Sequence, residues 1–400
     1  MAIGPFLSAY VDAHSSPSWS RDRIERHQQT LWRKMPLGDY PALKAFAGKP
    51  LSELPVIDAA DYRARFAEFN RHGLTVEATS HAAEASEAGH PGDLPGGLHA
   101  GFSTGTSGTQ RGLFVTSPEE RANYMGSLLG KLMPLRALLA TRRVALSLRA
   151  GNALYHSAIG PRVGFFPLAP DHAPLVEAIT AFAPDVVIAP PQLLLSLAEA
   201  GKPTGLRRVF YGAETLNDTE RAYITARLGV RPDPIYQATE GFLGAPCRLG
   251  TLHLNEDSLI VERDDLGGQT FRPIVTDLRR RSQAVVRLRL DDVLWETTCA
   301  CGSRLLAVRP VCGRYQDAWT VDGRTTVWPD GIETRVAPHV APTRRWIATQ
   351  YRDRVTVACP DERDSATICE HLRYFGVQPV AIPYDPAEDF PKRRHVRRAP

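Results

Sequence analysis

Between residue 113 and about residue 240 the chain alternates short β-rich runs with longer helical stretches. Val144-Ala145-Leu146-Ser147-Leu148, Val163-Gly164-Phe165-Phe166, Val186-Val187-Ile188 and Val209-Phe210-Tyr211 predict strands. Ser117 to Leu132, Pro174 to Phe182, Gln192 to Glu199 and Asp218 to Leu228 predict the helices between them. Such alternation allows few folds: it implies a mostly parallel sheet covered by helices. Ligands of such sheets sit at the carboxyl ends of the strands. Two stretches follow strands in that way: Gly212-Ala213-Glu214, and Tyr236-Gln237-Ala238-Thr239-Glu240-Gly241 after Pro232-Asp233-Pro234-Ile235.

Just before this region lies Ser103-Thr104-Gly105-Thr106-Ser107-Gly108-Thr109-Gln110-Arg111-Gly112. Glycines let backbone N–H groups converge on a phosphate, the hydroxyls add donors, and Arg111 supplies a forked cation, so this loop suits an anion. It is neither a Walker A loop nor a dinucleotide fingerprint. Thr116-Ser117-Pro118-Glu119-Glu120 then predicts a helix start, with a capping residue, a proline and acids in the first turn. Upstream, Ser20 to Lys34 and Ala59 to Phe69 (after Asp58) predict helices, and 76 to 100 predicts a loop or a poorly ordered approach. Beyond about 255 the pattern turns to alternating β, as in Ser258 to Glu262 and Val285 to Leu290, which predicts a more antiparallel subdomain.

Taken together, these stretches resemble the adenylate-forming superfamily, the acyl-CoA synthetases and adenylation domains. Ser103 to Gly108 match the hydroxyl–glycine core of its phosphate loop, with Gln110 where proline is common and Arg111 where lysine is common. Tyr236, Thr239 and Glu240 match a Tyr-Gly-x-Thr-Glu motif, which implies an aromatic beside adenine, a threonine at phosphate and a glutamate holding magnesium. Asp292, at the end of Val286-Arg287-Leu288-Arg289-Leu290-Asp291-Asp292, falls on the aspartate that accepts from the ribose hydroxyls. Gly313-Arg314-Tyr315-Gln316-Asp317 is similar to the family hinge, which gives Arg314 a nucleotide contact and Gln316 the pivot. Lys392 takes the place of the C-terminal catalytic lysine, with Arg393 or Arg394 as substitutes, and Gly212, Ala213 and Glu214 form the turn beside the nucleotide. The wording of residues 148–155, the short N-terminal part and Cys299-Ala300-Cys301-Gly302 look most like the phenylacetate–CoA-ligase-like branch, near coenzyme-F-synthetase-related enzymes.

The resemblance implies an α/β architecture. Residues 1–314 form a large domain of helix-covered, mostly parallel sheets with a β-rich subdomain at roughly 245–314, and 315–400 form a small, mobile α+β domain. It implies ATP-dependent activation of a carboxylic acid, aromatic by analogy with the branch, and transfer to a thiol of CoA or an acyl carrier protein. Glu240, Lys392 and Arg111 would be the catalytic groups and ATP/AMP and Mg2+ the ligands. The alternatives are adenylyl transfer to a non-carboxylate such as a deazaflavin hydroxyl, and a silent nucleotide-binding relative. The six cysteines point to metal ligands or buried thiols in a cytoplasmic protein. Cys247 and His253 with Cys299 and Cys301 make two short chelates suited to a structural tetrahedral Zn2+, a cluster that related ligases also carry. Cys312, Cys359 and Cys369 read as structural thiols, and His156 as an ordinary surface or core histidine, with a place in the acyl pocket the alternative. A net charge of +4 offers no field for nucleic acid, and no apolar run reaches the roughly 18 residues of a membrane span. A homodimer is left open.

Overall fold

The structure is a computed structural model that describes residues 3–88, 90, 94–107, 110–133, 135–148, 162–389 and 394–399. Its centre is a five-stranded, all-parallel sheet. The order across it is Val163–Phe165, Val144–Leu146, Val186–Ala189, Arg208–Tyr211 and Pro232–Pro234. The last of these is an edge strand, where two prolines with no N–H to donate do least harm to the ladder.

Helices Ala173–Phe182, Pro191–Ala200 and Asp218–Leu228 bury Ile179, Leu193, Leu197, Ile224 and Leu228 against Val187, Val209 and Tyr211 of the sheet. Helix Pro118–Leu132 and the residue after it bring Leu132 and Met133 to the other strand residues Val186 and Phe210. This helix starts as the sequence predicts. Ser117 accepts from Glu120 N–H, the Glu120 carboxylate accepts from Ser117 N–H, and Pro118 opens the first turn. Such a capping box stabilises a helix by about 1 kcal/mol. The N-terminal helix Ile3–Ser15 lies against it at glycine distance: a Cβ on Gly130 would stand 2.6 Å from Tyr10 O.

Two stretches before the central sheet differ from the sequence reading, the second also in length, since the helix expected over Ala59 to Phe69 ends at Ala64. Residues 76–100 are no loop: Val76–Glu87 is a helix, capped by Thr75, whose side chain accepts from Ala78 N–H. Its alanines and glutamates are good helix formers, and the loop-like glycines and prolines begin only after it. Asp58 precedes helix Ala59–Ala64 but makes no side-chain cap. Its carboxylate accepts instead from Arg289, at 2.8 and 3.0 Å.

The β-rich part comprises two sheets. One orders Ala307–Val308, Leu252–Leu254, Gly241–Pro246 and Tyr236–Ala238, all antiparallel. The other pairs the long strands Leu259–Gly267 and Thr270–Asp277 and adds Leu288–Arg289, Ile57–Asp58 and Leu294–Trp295. The run Val285 to Leu290 forms a ladder over Leu288–Arg289 alone, because Arg287 takes φ 47° and turns its guanidinium onto Glu262 at 2.8 and 2.9 Å.

The C-terminal residues build a second core from Trp319, Ile332, Trp346, Val357, Ile368 and Leu372. Its sheet orders Pro379–Ile382, Val355–Ala358, Ile347–Gln350 and Val396–Arg398. A buried contact closes the seam with the parallel-sheet unit: His395 Nε2 lies 3.5 Å from Glu220 Oε1, both side chains 3% exposed. No helix among the described residues is long and apolar enough to cross a membrane.

Candidate active site

The stretch read as a phosphate loop is the tip of an antiparallel hairpin, His99–Ser107 with Gln110–Thr116. The register shifts between Phe102 and Thr106, so the backbone around Ser103, Thr104 and Gly105 bulges from the ladder while that of Thr106 and Ser107 rejoins it. Gly108 lies outside the described residues. Gly112 sets how closely this hairpin meets the second motif. A Cβ there would fall inside the contact radius of Thr239 Oγ1 and 2.7 Å from Ser103 Oγ. Only glycine brings the Ser103 and Thr239 hydroxyls to the same point.

Both residues line a cavity of about 370 Å3 at the carboxyl ends of the parallel strands. Gly212, Ala213 and Glu214, which follow strand Arg208–Tyr211, line it too. Ala213 has φ 70°, a left-handed conformation that costs a non-glycine residue about 1 kcal/mol. Tyr236 donates its hydroxyl to Asp292 Oδ2 at 2.8 Å, and Asp292 pairs through its backbone with Arg314. The adjacent Asp291 is a site residue the sequence reading passed over. Burial pushes its carboxyl up to about 6; Arg314 pulls the other way, and Asp292 adds to the rise. Burial likewise pushes the Glu240 carboxyl up, with Asp292 contributing. A cavity-lining carboxylate is a suitable ligand for a hard cation, so Glu240 fits magnesium.

Arg111 is held elsewhere. It forms a two-pronged pair with Glu87, at 2.8 and 2.6 Å, lies over the Phe102 ring, and is not among the residues lining the cavity. Its partner sits at the end of helix Val76–Glu87, which the sequence reading took for a loop. A different cation lines the cavity: Arg394, 3.5 Å from Asp317 Oδ2, its guanidinium pKa lowered chiefly by burial. Lys392 lies outside the described residues. Arg314, Asp317 and Glu333 line the same wall. Gly313, at φ 114°, lets the chain pass Pro329, whose Cβ would stand 2.6 Å from an added Cβ. Gln316 is exposed beside this wall.

The inner end of the cavity is apolar. Leu128 and Leu132 from helix Pro118–Leu132 face Leu146, Val186, Ile188 and Phe210 from the sheet. Its one sequence signal is the spacing of Tyr124, Leu128 and Leu132, every fourth residue along one face.

Apart from the cavity, Cys247, His253, Cys299 and Cys301 bring their ligand atoms within 4.8 Å of one another. Cys247 and Cys299 sulfurs are 3.6 Å apart, and Cys301 Sγ is 3.4 Å from His253 Nε2. Ligands at about 2.3 Å in a zinc tetrahedron stand about 3.8 Å from each other, so the set fits zinc. The His253 ring is oriented by Nδ1, 2.9 Å from Leu305 O, which leaves Nε2 to the cluster. Backbone N–H groups of Leu249 and Ser303 point at the Cys247 and Cys301 sulfurs.

No family model and no curated protein matches the sequence. Solved structures do match the fold. A 2-hydroxyisobutyryl-CoA ligase in its postadenylation state with 2-HIB-AMP is 18% identical, with a TM-score of 0.63 over 93% of this chain and 88% of its own. The anthranilate CoA ligase AuaEII with anthranoyl-AMP is 14% identical, with a TM-score of 0.53 over 78% and 68%. The amide bond synthetase McbA from Marinactinospora thermotolerans is 19% identical, with a TM-score of 0.50 over 74% and 66%. The chain thus shares its overall α/β fold with these adenylate-forming ligases.

Proposed function

We propose that this chain is an adenylate-forming ligase that activates an apolar carboxylic acid with ATP and passes the acyl group to a thiol. One observation carries the reading. The Ser103 and Thr239 hydroxyls, the Tyr236–Asp292 pair, Glu240, Arg314 and Arg394 share one cavity whose inner end is aliphatic and aromatic. That is a polar place for a nucleotide joined to a greasy one for an acyl tail.

In the first step the substrate carboxylate attacks the α-phosphorus of ATP. An acyl–O–P bond forms as the α–β phosphoanhydride breaks, and pyrophosphate leaves. In the second a thiol sulfur attacks the acyl carbon, AMP leaves and the thiol proton goes to solvent. Neither step requires a nucleophilic side chain, so alignment and charge neutralisation do the catalysis. Asp292 and Tyr236 orient ribose and adenine, and the Ser103 and Thr239 hydroxyls donate to phosphate. Arg314 and Arg394 meet the negative charge. Arg394, one of the substitutes the sequence offers for Lys392, takes the C-terminal cationic part. Magnesium, held through Glu240, would neutralise phosphate charge. The aliphatic inner end accepts an aryl ring or an alkyl chain, and the acceptor is CoA or a carrier protein. Residues 315–400 would turn about Gln316 between the two half-reactions, and zinc on the thiol cluster would brace the β-rich part.

The test is pyrophosphate release with ATP and Mg2+ over a panel of aryl and alkyl acids. Acid-dependent release, lost in Glu240→Ala, is expected; release that ignores the acid, or that survives Glu240→Ala, overturns the reading. The engagement of Arg111 with Glu87 favours one rival, a nucleotide-binding relative without turnover. Tight Mg2+-ATP binding with no release for any acid identifies it.

A further inference from the structure

Arg280 lies outside both the cavity wall and the thiol cluster, yet it is only 8% exposed. A buried guanidinium is retained where its forked donors satisfy several acceptors at once. Here they do. Nη1 donates to the backbone carbonyl of Thr239 at 2.9 Å and Nη2 to Gln283 Oε1 at 3.0 Å. The same Oε1, on a side chain 1% exposed, accepts from Val115 N–H at 3.1 Å. Val115 lies on the hairpin strand that carries Gly112, the glycine packed against Thr239.

The turn that carries Arg280 is itself fixed. Asp277 Oδ1 accepts from the N–H groups of Arg279 and Arg280, at 2.8 and 3.2 Å. The other oxygen of Asp277 would stand 2.9 Å from a Cβ on Gly241, so that glycine, at φ 145°, seats the far end of the Thr239-Glu240-Gly241 turn on the same carboxylate. The turn is thus held at its first residue by the Arg280 hydrogen bond and packs closely at its last against Asp277. Through Gln283 the hold extends to the phosphate hairpin.

Resting on the function proposed above, we infer that Arg280 is a positioning residue for the phosphate and magnesium end of the site. It does not line the cavity of about 370 Å3 but borders a second, smaller one behind Thr239. It fixes the distance between the hairpin and Glu240 by holding the carbonyl next to that carboxylate. The two elements are separated by more than a hundred residues of chain, and this relay joins them through the Arg280 and Gln283 side chains rather than through a strand ladder.

The test compares Mg2+-ATP affinity, measured with a fluorescent ATP analogue with and without Mg2+, in wild type, Arg280→Met, Arg280→Lys and Gln283→Leu. Far-UV circular dichroism and thermal midpoints are recorded alongside. Removing a group that orients a metal-binding residue weakens binding or activity by roughly tenfold to a hundredfold. Arg280→Met is therefore expected to lose that factor in Mg2+-dependent affinity, and less without Mg2+. Arg280→Lys, which keeps a donor for Thr239, should recover part of it, and Gln283→Leu should shift affinity in the same direction as Arg280→Met. Folded Arg280→Met with wild-type Mg2+-dependent affinity overturns the inference. So does a loss in which Arg280→Lys and Arg280→Met fall together and in proportion to their thermal midpoints, since that is a purely structural role. Wild type that binds no Mg2+-ATP refutes the functional reading itself, an outcome visible before any variant is made.

Discussion

Gly112→Ala tests whether the meeting of the two motifs is as tight as the structure shows. The added methyl would overlap Thr239 Oγ1 and stand 2.7 Å from Ser103 Oγ, against ordinary contacts of about 3.4 to 4 Å. Neither neighbour can yield freely. The Thr239 carbonyl is held by Arg280, and Ser103 sits where the hairpin register shifts. Overpacking of this kind costs about 1 to 3 kcal/mol, and the lower entropy of an unfolded alanine offsets roughly 0.4 to 1 of it. The net expectation is a loss of about 1 to 2 kcal/mol in denaturant titration. The catalytic effect is larger, because relieving the overlap moves the hairpin by about 1 Å, and displacement of that size slows a reaction about a hundredfold. The assay is pyrophosphate release at saturating acid. Thr239→Ala in the same chain removes the nearest atom, so the double variant should regain stability without regaining rate, a coupling a double-mutant cycle resolves. Gly112→Ala with wild-type stability and rate would refute the reasoning.

Three further outcomes are expected. The Asp291 carboxyl, raised to about 6, binds its proton more tightly in the folded chain than in the unfolded, where the value is about 3.9. Stability from this group is therefore present at low pH and lost as pH rises from about 4 to about 6. Asp291→Asn removes that loss, so chemical denaturation across this range should fall less steeply than in wild type; identical slopes refute the assignment. Purified protein should carry one zinc per chain, and a chelator or Cys299→Ser should lower its thermal midpoint; metal-free protein of unchanged midpoint refutes the cluster. Arg394→Ala should slow acid-dependent pyrophosphate release by about a hundredfold or more while leaving transfer from a supplied acyl-adenylate largely intact. Equal loss in both half-reactions refutes its place at the adenylation step.

Local chemistry was readable from the chain where it acts over a few residues. Ser117 with Pro118 and Glu120 announced a helix start, and the capping box is there. Four of the five strands of the parallel sheet were visible as compact apolar runs, and the fifth, Pro232–Pro234, was not. Residues whose partners are distant in sequence were not. Arg111 looked available to a phosphate because Glu87 gave no sign of its helix: Gly and Pro downstream coloured the whole approach as loop. Asp58 looked like a cap until Arg289, far along the chain, claimed it. The alternation of Val285 to Leu290 promised a full strand, which the left-handed Arg287 interrupts. The thiol cluster lay between these extremes, with residue types and short spacings legible and the pairing of the two halves left to the fold.

Glu220 does two things at once: it completes the cap of helix Asp218–Leu228 with Asn217, and it meets His395 across the buried seam. His395 is the residue after Arg394. A rotation that withdraws Arg394 from the cavity must also part this pair and return Glu220 to water. Glu220→Gln would then leave the helix capped and the cavity wall unaltered while changing how long the C-terminal unit dwells against it. In the proposed rotation one glutamate would thus serve both the helix cap and the hold on the C-terminal residues.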